Sequence, residues 1–246
     1  MGAKQSTTKK HPSPYQSLHE DWPWVWGMRD PECLDWKAGL PDDEIQAQAL
    51  RQRDLPVPIT DNVYLGNAVS VESISTLEAH GITAVLNMAG PRALRNDVIK
   101  EYEKHAINYK CIHAEDDFNY FLLENDWSEA YEFIKSSTKD GRGKCVVHCV
   151  SGINRSGLIV SAYYMVTKRV CVLETVKYVR KQRGNVALCN EGFQQQLVAM
   201  AREENLLGTE PGKDGSIIKQ TPPPAEYDWV FAGMVKKENP LDRLAL

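Results

Sequence analysis

The stretch Lys144-Cys145-Val146-Val147-His148-Cys149-Val150-Ser151-Gly152-Ile153-Asn154-Arg155-Ser156-Gly157 decides the fold. Residues 144–148 form a short apolar run that follows the turn at Gly141 and Gly143 and reads as a buried strand. From Ser156 to Lys168 the pattern is helical, with Leu158, Ile159, Ala162 and Met165 as core residues. Residues 149–154 are left as a loop that runs from a strand into a helix N-terminus. The first N–H groups of a helix have no internal partners, and the helix dipole adds partial positive charge there. A loop wrapped at that point makes a nest for an anion. Gly152 lets the backbone approach a ligand closely. Arg155 offers a planar fork of donors suited to two oxygens of a phosphate. Cys149, at the base of the nest, has the electropositive setting that favours a nucleophilic thiolate.

The Cys-x5-Arg spacing closes one loop around one tetrahedral dianion. Cys149 is expected to attack phosphorus from below. Arg155 and the amides of Val150, Ser151, Gly152, Ile153, Asn154 and Arg155 are expected to hold the remaining oxygens, whose charge the transition state redistributes. Ser156 is expected to donate to the sulfur as it leaves, and His148 to hold the loop from behind. An ordinary buried cysteine at a strand end is the bland alternative. The apolar strand before the loop and the helix after it favour the catalytic reading.

Working outward, the chain alternates strands and helices from about Leu55. Val63–Leu65 reads as a strand ending at Gly66, 70–80 as a helix closed by Gly81, and Ile82–Leu86 as a buried strand. Gly90-Pro91 breaks the chain, and Asn108–Ile112 reads as a further strand leading into the acidic run Glu115-Asp116-Asp117. A helix capped by Asp126 follows, with Trp127, Ala130, Tyr131 and Ile134 on one face. Two more helices are expected: Val172 to Arg183, stopped by Gly184, and one from about Glu191 to Glu204, capped by Asn190. The order implies an α/β fold, a central sheet covered by helices.

Composition narrows the class. The 246 residues are 42% hydrophobic and 25% charged, with a formal net charge of −4, which argues against holding nucleic acid by bulk charge. No apolar run is long enough to span a bilayer, and no secretory signal is visible. Six cysteines without paired spacing read as reduced cytosolic thiols. Cys111, Cys145, Cys171 and Cys189 read as core or helix positions, and an oxidative pairing of Cys145 with Cys149 looks too constrained on one strand.

At the loop and its surroundings the sequence resembles the Cys-based protein tyrosine phosphatase superfamily, and within it the atypical, compact dual-specificity protein phosphatases. The resemblance runs over 55–207. It rests on the loop itself, Val63-Tyr64-Leu65-Gly66-Asn67, Val85-Leu86-Asn87, Ala114-Glu115-Asp116 and the Asn190-x-Gly192-Phe193-x-x-Gln196-Leu197 ending. It implies a mixed sheet of about five strands with helices on both faces. It also implies hydrolysis of phosphotyrosine and phosphoserine or phosphothreonine in protein substrates, without metal or other cofactor. The family carries a general-acid Asp on a loop upstream of the cysteine. Asp116 matches its Ala-x-Asp pattern, with Asp117 as the neighbouring alternative. Asn154 departs from the usual Ser and resembles RNA 5′-triphosphatases of the same fold, though those show Thr-His where this chain has Val150-Ser151. Phosphoinositide and glucan phosphatases, and phosphoprotein-binding pseudophosphatases, are further alternatives. The last generally lack the cysteine present here.

The flanks are read as a polar N-terminal arm with a Trp-rich extension over 1–54 and a Pro-containing tail over 208–246. The arm contains Trp22, Trp24, Trp26 and Trp36 and a helical run over 41–53; the tail contains Thr221-Pro222-Pro223-Pro224. Met1-Gly2-Ala3-Lys4-Gln5-Ser6 matches the N-myristoylation pattern at Gly2. One acyl chain supports only a reversible peripheral membrane association. The expected location is cytoplasmic, with a membrane-peripheral fraction if Gly2 is acylated. A weak kinase-docking pattern in 236–246 is outweighed by its reading as a plain tail.

Overall fold

The computed structural model describes residues 55–208, except residues 142 and 185 and the side chain of residue 140. The readings of Gly2, the tryptophans of the N-terminal extension, the 41–53 helix and the 221–224 and 236–246 segments lie outside the described residues.

The strand that feeds the loop is central. β1 (Val57–Pro58), β2 (Val63–Asn67), β3 (Ala84–Asn87), β4 (Asn108–Cys111) and β5 (Cys145–Cys149) form one sheet in the order β1-β2-β5-β3-β4. β5 runs parallel to β2, with Leu65 opposite Val147 and Asn67 opposite Cys149. On its other side it runs parallel to β3, with Leu86 opposite Val147. β3 and β4 are also parallel, and β1 pairs antiparallel at the edge. The fold is thus α/β with a mixed five-stranded sheet.

Side-chain alternation splits the core between the two faces. Val63, Leu65, Ala84, Leu86, Cys145, Val147 and Cys149 face one hydrophobic cluster, whereas Tyr64, Val85 and Val146 face another. The first cluster is closed by α4 (Leu122–Ser137), α5 (Arg155–Lys168), α6 (Val172–Arg183) and α7 (Glu191–Glu203). The second is closed by α1 (Ala68–Glu72), α2 (Ile74–His80) and α3 (Asn96–Lys104). A strand buried on both faces reads as the continuous apolar run seen at Cys145–Val147.

Several local expectations change. The helix expected over 70–80 is two short helices. Asn67 caps α1 through a capping box with Ser70, and Ser73 caps α2 by accepting from Thr76 N at 3.2 Å. A serine that bonds the backbone ahead of it ends one helix and starts the next. Gly81 closes α2 in the left-handed conformation, φ 68°. α3 was not expected from the sequence, because only Val98, Ile99 and Tyr102 mark its apolar side among charged neighbours. α4 starts at Leu122 rather than near Asp126. Asp126 instead accepts a hydrogen bond from the Tyr120 hydroxyl at 2.8 Å, inside the helix. Cys111 is exposed on the edge strand rather than in the core. Cys145 and Cys149 stand at opposite ends of β5, about 13 Å apart along an extended chain, which excludes a bond between them without breaking the strand.

The unexpected α3 is tied to α1 by one polar contact. The fully buried Tyr102 donates to Val71 O at 2.5 Å, and burial raises its phenol above the usual tyrosine range. Tyr102→Phe keeps the ring but orphans that carbonyl. Urea denaturation should show a loss of about 1–3 kcal/mol; an unchanged midpoint would mean that water or another donor takes the carbonyl.

Candidate active site

The loop between β5 and α5 turns its carbonyls outward, and each of them is engaged. Val150 O accepts from Ala68 N at 3.1 Å, Ile153 O from Leu188 N at 3.0 Å, and Asn154 O from Leu158 N at 2.7 Å. Ser151 O and Gly152 O both bind the guanidinium of Arg183, through Nη2 and Nε, each at 2.9 Å. Cys149 O meets His148 Nδ1 at 3.2 Å. The backbone N–H groups of Val150 to Arg155, by contrast, have no acceptor among the described residues. A loop with its carbonyls satisfied and its amides free is an anion site at a helix N-terminus. Gly152 makes the curvature feasible: its φ is +66°, and a Cβ there would stand 2.5 Å from Gly66 O.

Cys149 sits at the base of this loop, 1% exposed. The hydroxyl of the fully buried Ser156, in the first turn of α5, donates to its sulfur at 3.2 Å. Arg155 opens α5; its Nη1 donates to Ala114 O at 3.3 Å, which ties the β5–α5 loop to the acidic loop. Its Nε has no hydrogen-bond partner and stands 3.8 Å from Asp116 Oδ2. Asp116 also receives Asn190 Nδ2 at 3.2 Å on Oδ1 and Asn154 Nδ2 at 3.5 Å on Oδ2. Asp117 is turned into its own loop, where its Oδ1 accepts from Asn119 N at 2.8 Å. The structure therefore sets the Ser156 hydroxyl on the Cys149 sulfur at the base of the loop and the Asp116 carboxyl beside Arg155 and Asn154 at its end, and turns Asp117 into its own loop.

The acidic loop is held at its far end too. Gln196 on α7 donates to Tyr120 O at 2.8 Å and accepts from Leu123 N at 3.0 Å. Gly192 lies directly against the Phe118 backbone, where a Cβ would collide with Phe118 O. The Asn190-x-Gly192-Phe193-x-x-Gln196 pattern is thus a clamp for this loop.

Arg183 went unread as a functional residue. Its signal was present: it continues the Val172, Val176, Val179 stripe of α6, the face that points into the core. An arginine on an apolar stripe must find acceptors inside. At 1% exposure it finds the two loop carbonyls. Burial pushes its pKa down, and the neighbouring Cys149 opposes that shift. Cys189 and Asn154 were likewise not read as a joint: Asn154 Oδ1 accepts from Cys189 N at 3.0 Å, and the Cys189 thiol lies 3.4 Å away.

Among the described residues no group of His, Cys, Asp and Glu has the geometry of a metal site. No described helix is long and apolar enough to cross a membrane.

The fold and this loop define a class, and comparison with known proteins gives the family. The family model "Dual specificity phosphatase, catalytic domain" matches residues 63–203. Human dual specificity protein phosphatase 4 is 39% identical over 155 residues, which is 63% of this chain and 36% of that protein. Mouse dual specificity protein phosphatase 1 is 38% identical over 144 residues, 58% of this chain and 36% of that protein. The solved phosphatase domain of Yvh1 from Chaetomium thermophilum, 20% identical, shares the fold with a TM-score of 0.51, covering 63% of this chain and 98% of that one. The chain belongs to the dual specificity phosphatase family. It spans about a third of the length of the curated relatives it matches.

Burial lowers the His148 imidazole from its ordinary 6.5 to about 4; the bond to Cys149 O opposes this, and the Arg155 charge adds to it. The ring is therefore neutral, with Nδ1–H donating to the carbonyl. Between pH 6.5 and 4 the unfolded chain takes up a proton that the folded chain excludes. Stability falls as pH falls through that window, by up to about 1.4 kcal/mol per pH unit from this group. NMR of the imidazole should show a neutral ring from about pH 8 to about pH 5. A midpoint near the ordinary value would contradict this environment.

Proposed function

We propose that this protein is a metal-independent phosphatase acting on phosphotyrosine and on phosphoserine or phosphothreonine in protein substrates. Hydrolysis runs through a thiophosphate intermediate at Cys149. The observation that carries the reading is a single loop that holds a buried thiol, a run of free amides and Arg155, with the Asp116 carboxyl beside that Arg155.

In the first step the Cys149 thiolate attacks phosphorus, an S–P bond forms, and the P–O bond to the substrate breaks. Asp116, protonated, gives its proton to the departing oxygen. Arg155 and the amides of Val150 to Arg155 hold the equatorial oxygens through the transition state. In the second step Asp116, now a carboxylate, takes a proton from water as the water oxygen attacks phosphorus. The S–P bond breaks, its electron pair returns to sulfur, and the Ser156 hydroxyl, 3.2 Å away, hydrogen-bonds the developing thiolate. His148 and Arg183 keep the loop in shape by engaging its carbonyls.

The N-terminal pattern supports a second element of the proposal. Acylation of Gly2 gives the protein a reversible hold on membranes, and the rest of its population is cytoplasmic.

Turnover separates the phosphatase from a pure phosphoprotein binder. Cys149→Ser should abolish hydrolysis of an aryl phosphate, while circular dichroism stays that of the folded protein; chelators should leave the wild type active. Asp116→Asn should lose about 10²–10⁴-fold on alkyl phosphates and much less on an activated aryl phosphate, whose leaving group needs little protonation. The same signature at Asp117 instead would shift the acid by one residue. Absence of the signature at both, with phosphate released from triphosphate-ended RNA, would favour the RNA triphosphatase chemistry.

A further inference from the structure

We infer that Asn154 is a positioning residue for the acid: its carboxamide brackets the catalytic loop, the start of α7 and the Asp116 loop, and so sets where the Asp116 carboxyl stands. The inference rests on the phosphatase reading above, since it assigns how that reading's acid is aimed.

The carboxamide is used at both ends. Oδ1 accepts from the backbone N–H of Cys189 and of Asn190, both at 3.0 Å. Nδ2 faces Asp116 Oδ2 at 3.5 Å. Asn190, whose backbone is fixed by the first contact, has its own two ends engaged. Its Oδ1 caps α7 by accepting from Gly192 N at 3.0 Å and Phe193 N at 3.3 Å, and its Nδ2 donates to Asp116 Oδ1 at 3.2 Å. Each oxygen of Asp116 therefore meets one carboxamide, and both carboxamides are held by the same short turn.

The loop needs such a bracket. Glu115, Asp116, Asp117 and Phe118 are all exposed, so no apolar burial of their side chains fixes this segment. Its anchors sit on either side, at Ala114 O and at the Phe118 backbone against Gly192. Among the described residues, only the paired carboxamides reach the carboxyl itself, beside the more distant Nε of Arg155 at 3.8 Å. Asn154 is free for this task because, although it stands at the N-cap of α5, its side chain makes no capping bond to that helix.

The residue type follows from the contacts. Two backbone N–H groups require an acceptor, and a carboxylate oxygen beyond them requires a donor. A carboxamide offers both in one plane. Aspartate at 154 would accept from the turn but set a second negative charge against Asp116. Serine would bring a shorter side chain whose oxygen cannot hold the turn and reach the carboxyl together.

The test uses the full chain, an alkyl phosphate and an activated aryl phosphate, with wild type, Asn154→Ser, Asp116→Asn and the double variant. Asn154→Ser should lower the ratio of alkyl to aryl kcat by about tenfold or more, with the fall carried by kcat rather than KM. In the Asp116→Asn background the same substitution should cost nothing further on the alkyl ester, because the group it aims is gone. Equal losses on both esters would mean a general defect of the loop and overturn the role, as would losses that add in the double variant. If Asn154→Ser does not fold, Asn154→Asp, which keeps both contacts to the turn, should show the same leaving-group signature; its absence there overturns the role. Wild-type protein that turns over neither ester overturns the phosphatase reading and this role with it. An active wild type indistinguishable from Asn154→Ser overturns this role alone.

Discussion

A peptide loop cannot offer its amides to an anion unless its carbonyls find donors elsewhere, and the loop between β5 and α5 meets that demand with contacts from several distant segments. Ala68 at the start of α1, Leu188 before α7 and Arg183 on α6 each supply donors to it. The guanidinium of Arg183 is the most demanding of these, a buried charge that takes two carbonyls at once. Burial pushes its pKa down, and the two carbonyl contacts and the negative charge of an ionised Cys149 act against that cost. The freedom of these amides is thus a property of segments drawn from both faces of the sheet, not of the loop alone.

The sheet explains why these segments meet. β5 lies between two parallel neighbours, so its carboxyl end opens between the loops that follow β2 and β3. In open parallel sheets, this end of the strands is where ligands bind. β4, beyond β3, delivers the acidic loop to the same edge, and α7 returns to clamp it through Asn190, Gly192 and Gln196. The proposed nucleophile and the proposed acid come from different strands but share one rim because every strand between them is parallel.

Much of this was legible in the chain. The β5–loop–α5 unit is a contiguous pattern in which apolar run, Gly152, Arg155 and helical periodicity reinforce one another. α6, with its Gly184 stop, and α7, with its Asn190 cap, were also readable, because caps are local chemistry. What escaped was of two kinds. Ser73 and α3 were lost to weak local signals: a serine that can sit in a helix or cap one, and a charged helix with a thin apolar stripe. Arg183 and the Asn154 bracket were lost because their partners lie far away in sequence. A side chain's need for a partner is visible in one dimension, but the partner's identity emerges only when the fold brings segments together.

The free amides of this loop are proposed to form the oxyanion site. Backbone N–H resonances of Val150 to Arg155, followed in 1H–15N spectra while inorganic phosphate is added, test it most directly. Saturable downfield shifts are expected, confined to those amides and their immediate neighbours, with the Arg155 side chain responding in step. Shifts that fall elsewhere, or a loop unmoved while phosphate binds, would contradict it.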